Sequence, residues 1–442
     1  MSFRDDIKNR VLVFDGSMGR MLLENGLGVG TCPEEWNLTH PEIIKGIYKG
    51  YMDAGADIIQ TNTFQSHGIK LEEYGLKDKH YEINYQGVKL AKEVADGKSY
   101  VAASIGPLGK LLEPFGDLTF EKAYDTFKEQ IIAVADGGAD IISLETFTDI
   151  SELRIALLAV KENCSLPAIC SVSYEQNGRT LMGTEPGICA TILYSMGADL
   201  IGTNCSFGPE YMIKITESYA KTGLPFSIKP NAGLPEMIDG KQVFKETPEG
   251  FVKFVPEFLK NGARLLGGCC GTTPDYISEV AKIVKASNVN SNDSSIELKK
   301  PDVDYITSAA QKAAFEDLSS AELGRIDVKR DDSLKNALKA GDLGAVTDAA
   351  MDLLDEDCDI VLIDVDIEDS EDALLLAQVV KEAQTYLKQP FVLKSNNVDA
   401  LDAALRIYKG RGGYITRCTE EASKLLKKYG AVNCGGFLIN ER

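Results

Sequence analysis

A short pattern recurs four times in the chain and narrows the folds that it can adopt. The copies are GADIIQTNTF from Gly55, GADIISLETF from Gly138, GADLIGTNCS from Gly197 and GARLLGGCCG from Gly262. Each copy combines a glycine turn, a short apolar run typical of a buried strand, and small polar residues. Four further runs of this style alternate with the copies: RVLVFDGS from Arg10, SYVAASIGP from Ser99, PAICSVSY from Pro167 and PFSIKPNAG from Pro225.

Together these runs predict eight strands, with helices between them. Near-continuous apolar runs fit strands that are buried on both faces of a parallel sheet. The intervening segments, such as PEIIKGIYKGYMDA from Pro41 and SELRIALLAVKEN from Ser151, carry apolar residues at helical spacing. Eight alternating β and α units within about 280 residues predict an α/β fold of the (β/α)8, or TIM, barrel class.

The C-terminal ends of the strands carry the active site in such a barrel. Polar and sulfur-containing residues gather at the predicted ends: Asp15 with Gly16, Thr61 to Thr63, Glu145 with Thr146, Asn204 with Cys205, Asn231, and Cys269 with Cys270. These positions are therefore the candidate site.

Three of these residues, Cys205, Cys269 and Cys270, suit a metal ion. Adjacent cysteines are too close for an ordinary disulfide, and the surrounding glycines allow both sulfurs to turn to one centre. Three thiolates with a fourth position open are typical of catalytic zinc. The alternative is core packing, because cysteine is among the most buried residue types.

The carboxylates of Asp15 and Glu145 suit a cationic group, such as the α-amino group of an amino acid. Their alternative roles are a helix cap or a structural ion pair at the rim. Asn204 and the neighbouring asparagines are candidates to donate to a carboxylate, or else to tie loops together. His67 and Trp36 are interpreted as loop or packing residues.

Composition excludes several classes of function. The chain has 442 residues, ten cysteines and a formal net charge of −20. This charge argues against a nucleic-acid partner, and no apolar run approaches the roughly 18 residues of a membrane span. Because the start of the chain lacks a signal-peptide pattern, we expect a cytoplasmic protein with reduced thiols.

The composition changes after the predicted eighth helix. Residues 1–286 are assigned to the barrel, and 287–303, rich in Asn, Ser and Asp, to a linker. Residues 304–442 are predicted to form a smaller parallel α/β domain. Its strand candidates are DIVLIDVDI, PFVLKS, GGYIT and GGFLIN, but the segment is too short for a closed eight-fold barrel.

Several motifs give the chain a resemblance to the zinc-dependent homocysteine S-methyltransferases. They are FDGSMGRML, CPEEWNLTHPEII, AGADIIQTNTF, GRTLMGTEP, GTNCSFGP, KPNAGLP and GGCCGTTP, and they span nearly all of residues 10–286. Within that family the chain is most similar to the homocysteine-binding half of the cobalamin-dependent methionine synthases.

This resemblance implies a zinc ion held by Cys205, Cys269 and Cys270, with the sulfur of homocysteine as the exchangeable ligand. It also assigns Asp15, Glu145 and the backbone near Gly16 to the homocysteine amino group.

The tail resembles the beginning of the pterin-binding domain of the same synthases. It departs from the family pattern in GRIDVKRD and in LKSNN, where Lys394 replaces an acid, and it covers about half of that barrel. These departures argue against folate binding. The chain also lacks an Asp-x-His-x-x-Gly stretch, so we expect a methylated corrinoid, such as methylcobalamin, to arrive on a separate protein.

The sequence thus predicts zinc-dependent methyl transfer to homocysteine, giving methionine. Alternative donors are S-methylmethionine and betaine, and an alternative reaction moves the methyl group to or from another thiol. A non-catalytic partner subunit is the alternative of another class. The oligomeric state, including a homo-oligomer, is left open.

Overall fold

The computed structural model describes residues 2–238, 241–290, 301–366 and 374–438. The chain divides into two compact units, the first made of Met1–Met182 with Ala198–Asp302, the second of Gly183–Gly197 with Val303–Arg442. Most of the predicted linker, 291–300, lies outside the described residues, and the preceding helix continues to Asn290. The assignment of domains therefore stays a prediction.

The described part of the first unit contains ten strands. They are β1 Leu12–Val13, β2 Ile58–Gln60, β3 Tyr100–Ile105, β4 Ile141–Phe147, β5 Ala168–Val172, β6 Leu200–Asn204, β7 Phe226–Lys229, β8 Pro235–Ile238, β9 Lys241–Phe244 and β10 Ala263–Leu266. All except β8 and β9 form one parallel sheet in the order β1-β10-β7-β6-β5-β4-β3-β2. All eight strands of the predicted barrel are confirmed.

The sheet closes between its two end strands, β1 and β2. A parallel bridge joins Phe14 to Ile58. The Asp57 amide donates to the Val13 carbonyl at 2.8 Å, and the Asp15 amide donates to the Ile58 carbonyl at 3.1 Å. The Asp57 carboxylate also accepts from the Val13 amide at 2.8 Å. These few bonds form the seam of the barrel.

Helices connect the strands. They are α1 Phe3–Asn9, α2 Met18–Glu24, α3 Trp36–Thr39, α4 Pro41–Asp53, α5 Gly68–Glu72, α6 His80–Ala95, α7 Phe120–Gly137, α8 Ile150–Asn163, α9 Pro186–Ser195, α10 Pro209–Thr222, α11 Pro248–Phe251, α12 Val255–Lys260 and α13 Pro274–Asn290. By its contacts α9 belongs to the second unit. Phe3 and Ile7 of α1 pack with the buried starts of the strands, so α1 covers the N-terminal end of the barrel.

Two features of the first unit lie outside the regular barrel pattern. Strands β8 and β9 form an antiparallel hairpin after β7, which the sequence pattern did not predict. In addition, the described residues contain no helix that is long and apolar enough to cross a membrane.

The second unit contains a five-stranded parallel sheet and a separate hairpin. Its strands are β11 Tyr305–Thr307, β12 Lys312–Ala314, β13 Leu323–Asp327, β14 Ile360–Asp364, β15 Phe391–Lys394, β16 Gly413–Ile415 and β17 Val432–Asn433. The sheet order is β13-β14-β15-β16-β17, and β11 pairs with β12. Its further helices are α14 Asp332–Lys339, α15 Gly344–Leu354, α16 Leu375–Tyr386, α17 Val398–Ile407 and α18 Thr419–Leu426.

The prediction of a smaller parallel sheet is confirmed, but one of its predicted strands is wrong. The segment GGFLIN was expected to be a strand, whereas residues 435–437 form a turn and β17 lies just before them. The reason is packing: Cys434 and Leu438 both turn into the core of this unit. The amides of Phe437 and Leu438 both donate to the Cys434 carbonyl, at 3.0 and 2.9 Å, and close the turn. The last two residues of the segment, 439 and 440, lie outside the described residues.

Candidate metal centre and substrate pocket

Cys205 follows the last residue of β6 and leaves the strand geometry at once. Its φ of 54° lies in the left-handed region, which residues with a Cβ rarely adopt. Its backbone amide donates to the Lys229 carbonyl of β7 at 3.3 Å. The neighbouring strand therefore stabilises the turn that aims this thiol.

Cys269 and Cys270 follow β10 after two glycines. The Cys269 amide donates to the Pro230 carbonyl at 2.8 Å, and the Cys270 amide donates to Oδ1 of Asn231 at 3.1 Å. Gly271 then takes a φ of 82°, which turns the chain back toward α13. Hydrogen bonds to the two residues that follow β7, one to a carbonyl and one to a side chain, thus hold both cysteines in place.

The three sulfurs lie within 4.8 Å of one another, and the Sγ atoms of Cys205 and Cys270 are 3.3 Å apart. Sulfur ligands about 2.3 Å from a tetrahedral zinc ion are separated by about 3.8 Å, so the cluster fits this metal. Among the described residues, this is the one group of three or more His, Cys, Asp or Glu side chains close enough to share an ion.

The cluster also favours partial ionisation of its thiols. Hydrogen bonds from the Cys205 and Cys269 thiols lower the pKa of Cys270 to about 3, despite its burial. The hydrogen bonds that the Cys205 thiol makes with Cys269 and Cys270 raise its own pKa, because it keeps the proton that it donates. The arrangement therefore already favours a thiolate, which is the form that binds metals.

A buried carboxylate, Glu145 of β4, lies on the same rim. Lys229, the last residue of β7, forms an ion pair with it, and the two side chains are 2% and 9% exposed. The Gln60 amide donates to Oε1 of Glu145 at 2.5 Å, and the Ser104 hydroxyl also donates to that oxygen. Lys229 in turn donates to Oε1 of Gln60 at 3.0 Å.

The second predicted carboxylate, Asp15, is bound on one side only. Its Oδ2 accepts from the Gln60 backbone amide at 2.6 Å, whereas its buried Oδ1 has no hydrogen-bond partner among the described residues. Burial raises the pKa of Asp15 to about 8, although that hydrogen bond and Lys229 oppose the rise. A buried acceptor oxygen without a partner is suited to receive a cationic donor, whose charge would favour the ionised form of the carboxylate.

Asn204 connects the sulfur cluster to the carboxylate region. Its Oδ1 accepts from the Thr146 amide at 2.8 Å, and its Nδ2 donates to Oγ1 of Thr146 at 2.8 Å while lying 3.7 Å from Sγ of Cys269. Thr146 has a φ of 67° and follows Glu145 directly. Asn204 thus holds a strained strand end, which matches the loop-tying alternative.

The other predicted positions have structural contacts. A side chain at Gly16 would lie 2.8 Å from Oγ1 of Thr272 and 2.9 Å from the ring of Tyr51, so the close packing of this turn requires glycine. The Asn62 side chain donates to the Pro33 carbonyl at 2.8 Å. His67 caps α5, and Trp36 stacks on His40 with ring centroids 4.3 Å apart, as expected of packing residues.

Lys229 and Gln60 are parts of the site that sequence reasoning missed. Both end a barrel strand, inside segments quoted for their apolar character. The sequence did contain a signal for Lys229, because a lysine within a strand buried on both faces requires a buried polar or charged partner.

The site is thus a cluster of three thiols with the spacing to hold a metal ion, beside two buried carboxylates at the C-terminal rim of a (β/α)8 barrel. The model of the family described as homocysteine S-methyltransferase matches residues 12–284. The chain belongs to this family. The predicted family and the barrel fold are therefore confirmed.

Curated relatives and a solved structure agree with this assignment. Methionine synthase from Mycobacterium tuberculosis is 30% identical over 430 residues, which cover 92% of this chain and 35% of the relative. Methionine synthase from Mycobacterium leprae is 34% identical over 306 residues, covering 64% of this chain and 25% of that protein. The chain therefore spans about a third or less of their length.

Among solved structures, the metallated form of the homocysteine methyltransferase MmuM from Escherichia coli matches with a TM-score of 0.55. It is 22% identical to this chain, and the match covers 62% of this chain and 97% of that structure. This similarity shows the fold of the first unit.

Proposed function

We propose that this protein transfers a methyl group to the thiol of homocysteine, giving methionine, with zinc held by Cys205, Cys269 and Cys270. The observation that carries the proposal is the position of three thiols next to two buried carboxylates on one barrel rim. Homocysteine has both matching groups, a thiol at one end and an α-amino group at the other.

The chain's own residues would position the acceptor. The unmatched Oδ1 of Asp15 accepts from the α-ammonium group, and Glu145 supplies the second negative charge. Backbone near Gly16 completes this binding because the position has no side chain. Asn204 keeps the Thr146 turn in place, so the amino-acid end and the sulfur end stay at a fixed separation.

Zinc bound to three thiolates would lower the pKa of the substrate thiol, which is otherwise mostly protonated at neutral pH. The substrate sulfur, having lost its proton, forms a bond to the methyl carbon while the bond from that carbon to the donor breaks. The rim residues contribute by orienting the sulfur for this in-line displacement.

The donor that we propose is a methylated corrinoid carried by a separate protein. Support comes from the similarity to methionine synthases, which extends over 92% of this chain in one relative. S-methylmethionine and betaine are the competing donors.

The direct test mixes zinc-loaded protein with homocysteine and methylcobalamin. We expect loss of the methyl–cobalt absorbance together with formation of methionine. Turnover with S-methylmethionine or betaine instead would contradict the proposed donor, and absence of methionine with all three would contradict the acceptor.

Matched cysteine variants test the metal site. Cys270→Ala should lose bound zinc and methyl transfer, because one of three ligands is gone. Cys418→Ala removes an exposed thiol of the second unit and should retain both. If zinc content and activity survive in Cys270→Ala, the ligand assignment is wrong.

A further inference from the structure

The second unit contains a cavity of about 880 Å³ at the C-terminal ends of its parallel strands. The polar residues that line it include Lys329, Lys394, Asn396, Thr416, Arg417 and Asn433. Parallel α/β sheets bind ligands outside the carboxyl ends of their strands, and pockets of about 300 to 1,000 Å³ hold small molecules. The position and size of the cavity are thus those of a ligand site.

Three cationic side chains line this cavity. Lys329 follows β13, Lys394 ends β15, and Arg417 follows β16. The buried Asp364 carboxylate lies 2.8 Å from the Lys329 ammonium and 3.5 Å from that of Lys394. One carboxylate therefore faces two ammonium groups, and the exposed Arg417 guanidinium has no side-chain partner among the described residues.

The polar lining residues add donors to this positive charge. Oδ1 of Asn396 accepts from the Arg417 amide at 3.0 Å, and Oδ1 of Asn433 accepts from the Gly435 amide at 3.0 Å. Since both carbonyl oxygens are used, the two NH₂ groups are what these side chains can offer a ligand. Oγ1 of Thr416 likewise accepts, from the Cys418 amide at 3.2 Å, which leaves its hydroxyl proton to donate.

Among the described residues, two further carboxylates near the cavity accept hydrogen bonds from other groups and do not line it. Asp366 accepts from the Ser395 hydroxyl at 2.5 Å and from the Asn396 amide at 3.0 Å. Asp327 accepts from the Lys329 amide at 2.8 Å. The described side chains that line the cavity therefore offer a ligand three cations and several N–H or O–H donors, and none of them is a carboxylate.

We propose that this cavity binds a small organic polyanion through its phosphate or carboxylate groups. Arg417 forms a bidentate contact with one oxyanion group, and Lys329 and Lys394 balance the remaining charge. The amide groups of Asn396 and Asn433 fix its orientation. This site is separate in the chain from the thiol cluster, so its test does not depend on methyl transfer.

Calorimetric titration of the full-length protein tests the proposal, with pyrophosphate as the phosphate probe and citrate as the carboxylate probe. At low ionic strength we expect saturable binding of at least one probe, weakened by added salt. Tighter binding of pyrophosphate would identify a phosphate ligand, and tighter binding of citrate a carboxylate. Absence of binding by both would overturn the proposal.

Charge-matched variants identify the residues. Arg417→Gln and Lys394→Gln should each weaken binding about tenfold or more, because each removes a charged hydrogen-bond donor. Lys339→Gln makes the same charge change at the exposed end of α14 and should leave the affinity within about twofold. Urea unfolding of each variant confirms that it is folded. Equal affinity in all three variants would show nonspecific attraction and contradict the site.

Discussion

Lys229 is a buried cation whose charge is balanced entirely inside the barrel. It contacts Glu145 and Gln60, and its ammonium lies 4.4 Å from the centre of the Phe14 ring. Removing one partner of such a pair leaves an uncompensated buried charge, which costs much more than an exposed ion pair contributes. The pair therefore maintains the charged form of a carboxylate that the proposed substrate needs.

Replacing Lys229 by Met should lower the free energy of unfolding by about 3 kcal/mol, because Glu145 loses its counterion. Urea unfolding of the metal-free protein measures this loss. Lys253→Met, at an exposed position, is the control and should change the stability by less than about 0.5 kcal/mol. Adding Glu145→Gln to Lys229→Met should recover part of the loss, and no recovery would mean that the two residues are not coupled.

Asp15 should make the stability of the metal-free protein depend on pH. The folded protein keeps its proton up to a pKa of about 8, whereas the unfolded chain loses it near pH 4. Between these values the folded state binds more protons, so the free energy of unfolding falls as pH rises. Asp15→Asn should remove this contribution and gain about 1 to 4 kcal/mol relative to wild type from pH 5 to pH 8.

Unfolding midpoints of both proteins, measured across this range, check the effect. Burial also raises the pKa of Glu152 to about 8, but that residue is present in both proteins and cancels in the comparison. If the difference in stability between variant and wild type stayed constant from pH 5 to pH 8, Asp15 would be ionised in the folded protein over that whole range.

At the scale of single residues, the sequence predicted the positions that depend only on the local strand pattern. Cys205, Cys269 and Asp15 could be placed because each lies within three residues of the end of an apolar strand, and barrel strands end at one rim. The contact of Lys229 with Glu145 could not, because it joins β7 to β4, and no local pattern specifies which side chains meet across a barrel interior. The contact of Asn204 with Thr146 could not be predicted either, because it joins β6 to β4.

Among the elements, the turn after β10 decides whether the sulfurs converge. Gly271 has a φ of 82°, and a Cβ built there would overlap the ring of Phe244, the last residue of β9. The hairpin β8–β9 thus closes over the turn that carries two of the proposed ligands. A glycine at this position permits both the backbone angle and the close approach.

Gly271→Ala should therefore weaken zinc binding by about tenfold or more and lower the stability by about 2 to 4 kcal/mol. Competition with a chelator and urea unfolding measure the two effects. Gly138→Ala is the matched control, because that residue has a φ of 93° but no atom within 4 Å of a built Cβ. It should lose about 1 to 2 kcal/mol without a change in zinc affinity. Equal zinc affinity in both variants would mean that Phe244 does not constrain the turn.

The elements themselves were predictable where burial sets the pattern. All eight barrel strands are near-continuous apolar runs, and α4 and α8 follow their helical periodicity. The hairpins β8–β9 and β11–β12 were missed, because their strands have only three or four residues and carry no comparable apolar run. The strand predicted at GGFLIN was wrong, because the apolar composition of this segment does not reveal that residues 435–437 form a turn.

At the scale of the molecule, the zinc site should be independent of the C-terminal segment. All three cysteines and both carboxylates lie in the first unit, within residues 15–270. A chain shortened by removal of residues 304–442 should bind as much zinc per chain as the full-length protein. Metal analysis after gel filtration measures this, and the shortened chain with Cys270→Ala serves as the zinc-free control.

The shortened chain also tests the domain assignment. The shortened chain still contains Gly183–Gly197, which belongs to the second unit. Comparing its unfolding midpoint with that of the unshortened chain therefore shows whether this segment depends on the rest of the second unit. Loss of zinc together with unfolding would place the boundary elsewhere.

The few hydrogen bonds at the seam of the barrel determine where local opening is expected. Strand β1 has only two residues, and a single bridge joins Phe14 to β2. Local opening costs least where the fewest backbone hydrogen bonds must break. Asp15 and Gly16 directly follow this joint, so amide hydrogens beside the proposed amino-group site should exchange with solvent sooner than those of the longer strands β3 and β4. The part of the barrel proposed to bind the amino group is then also the part expected to open first.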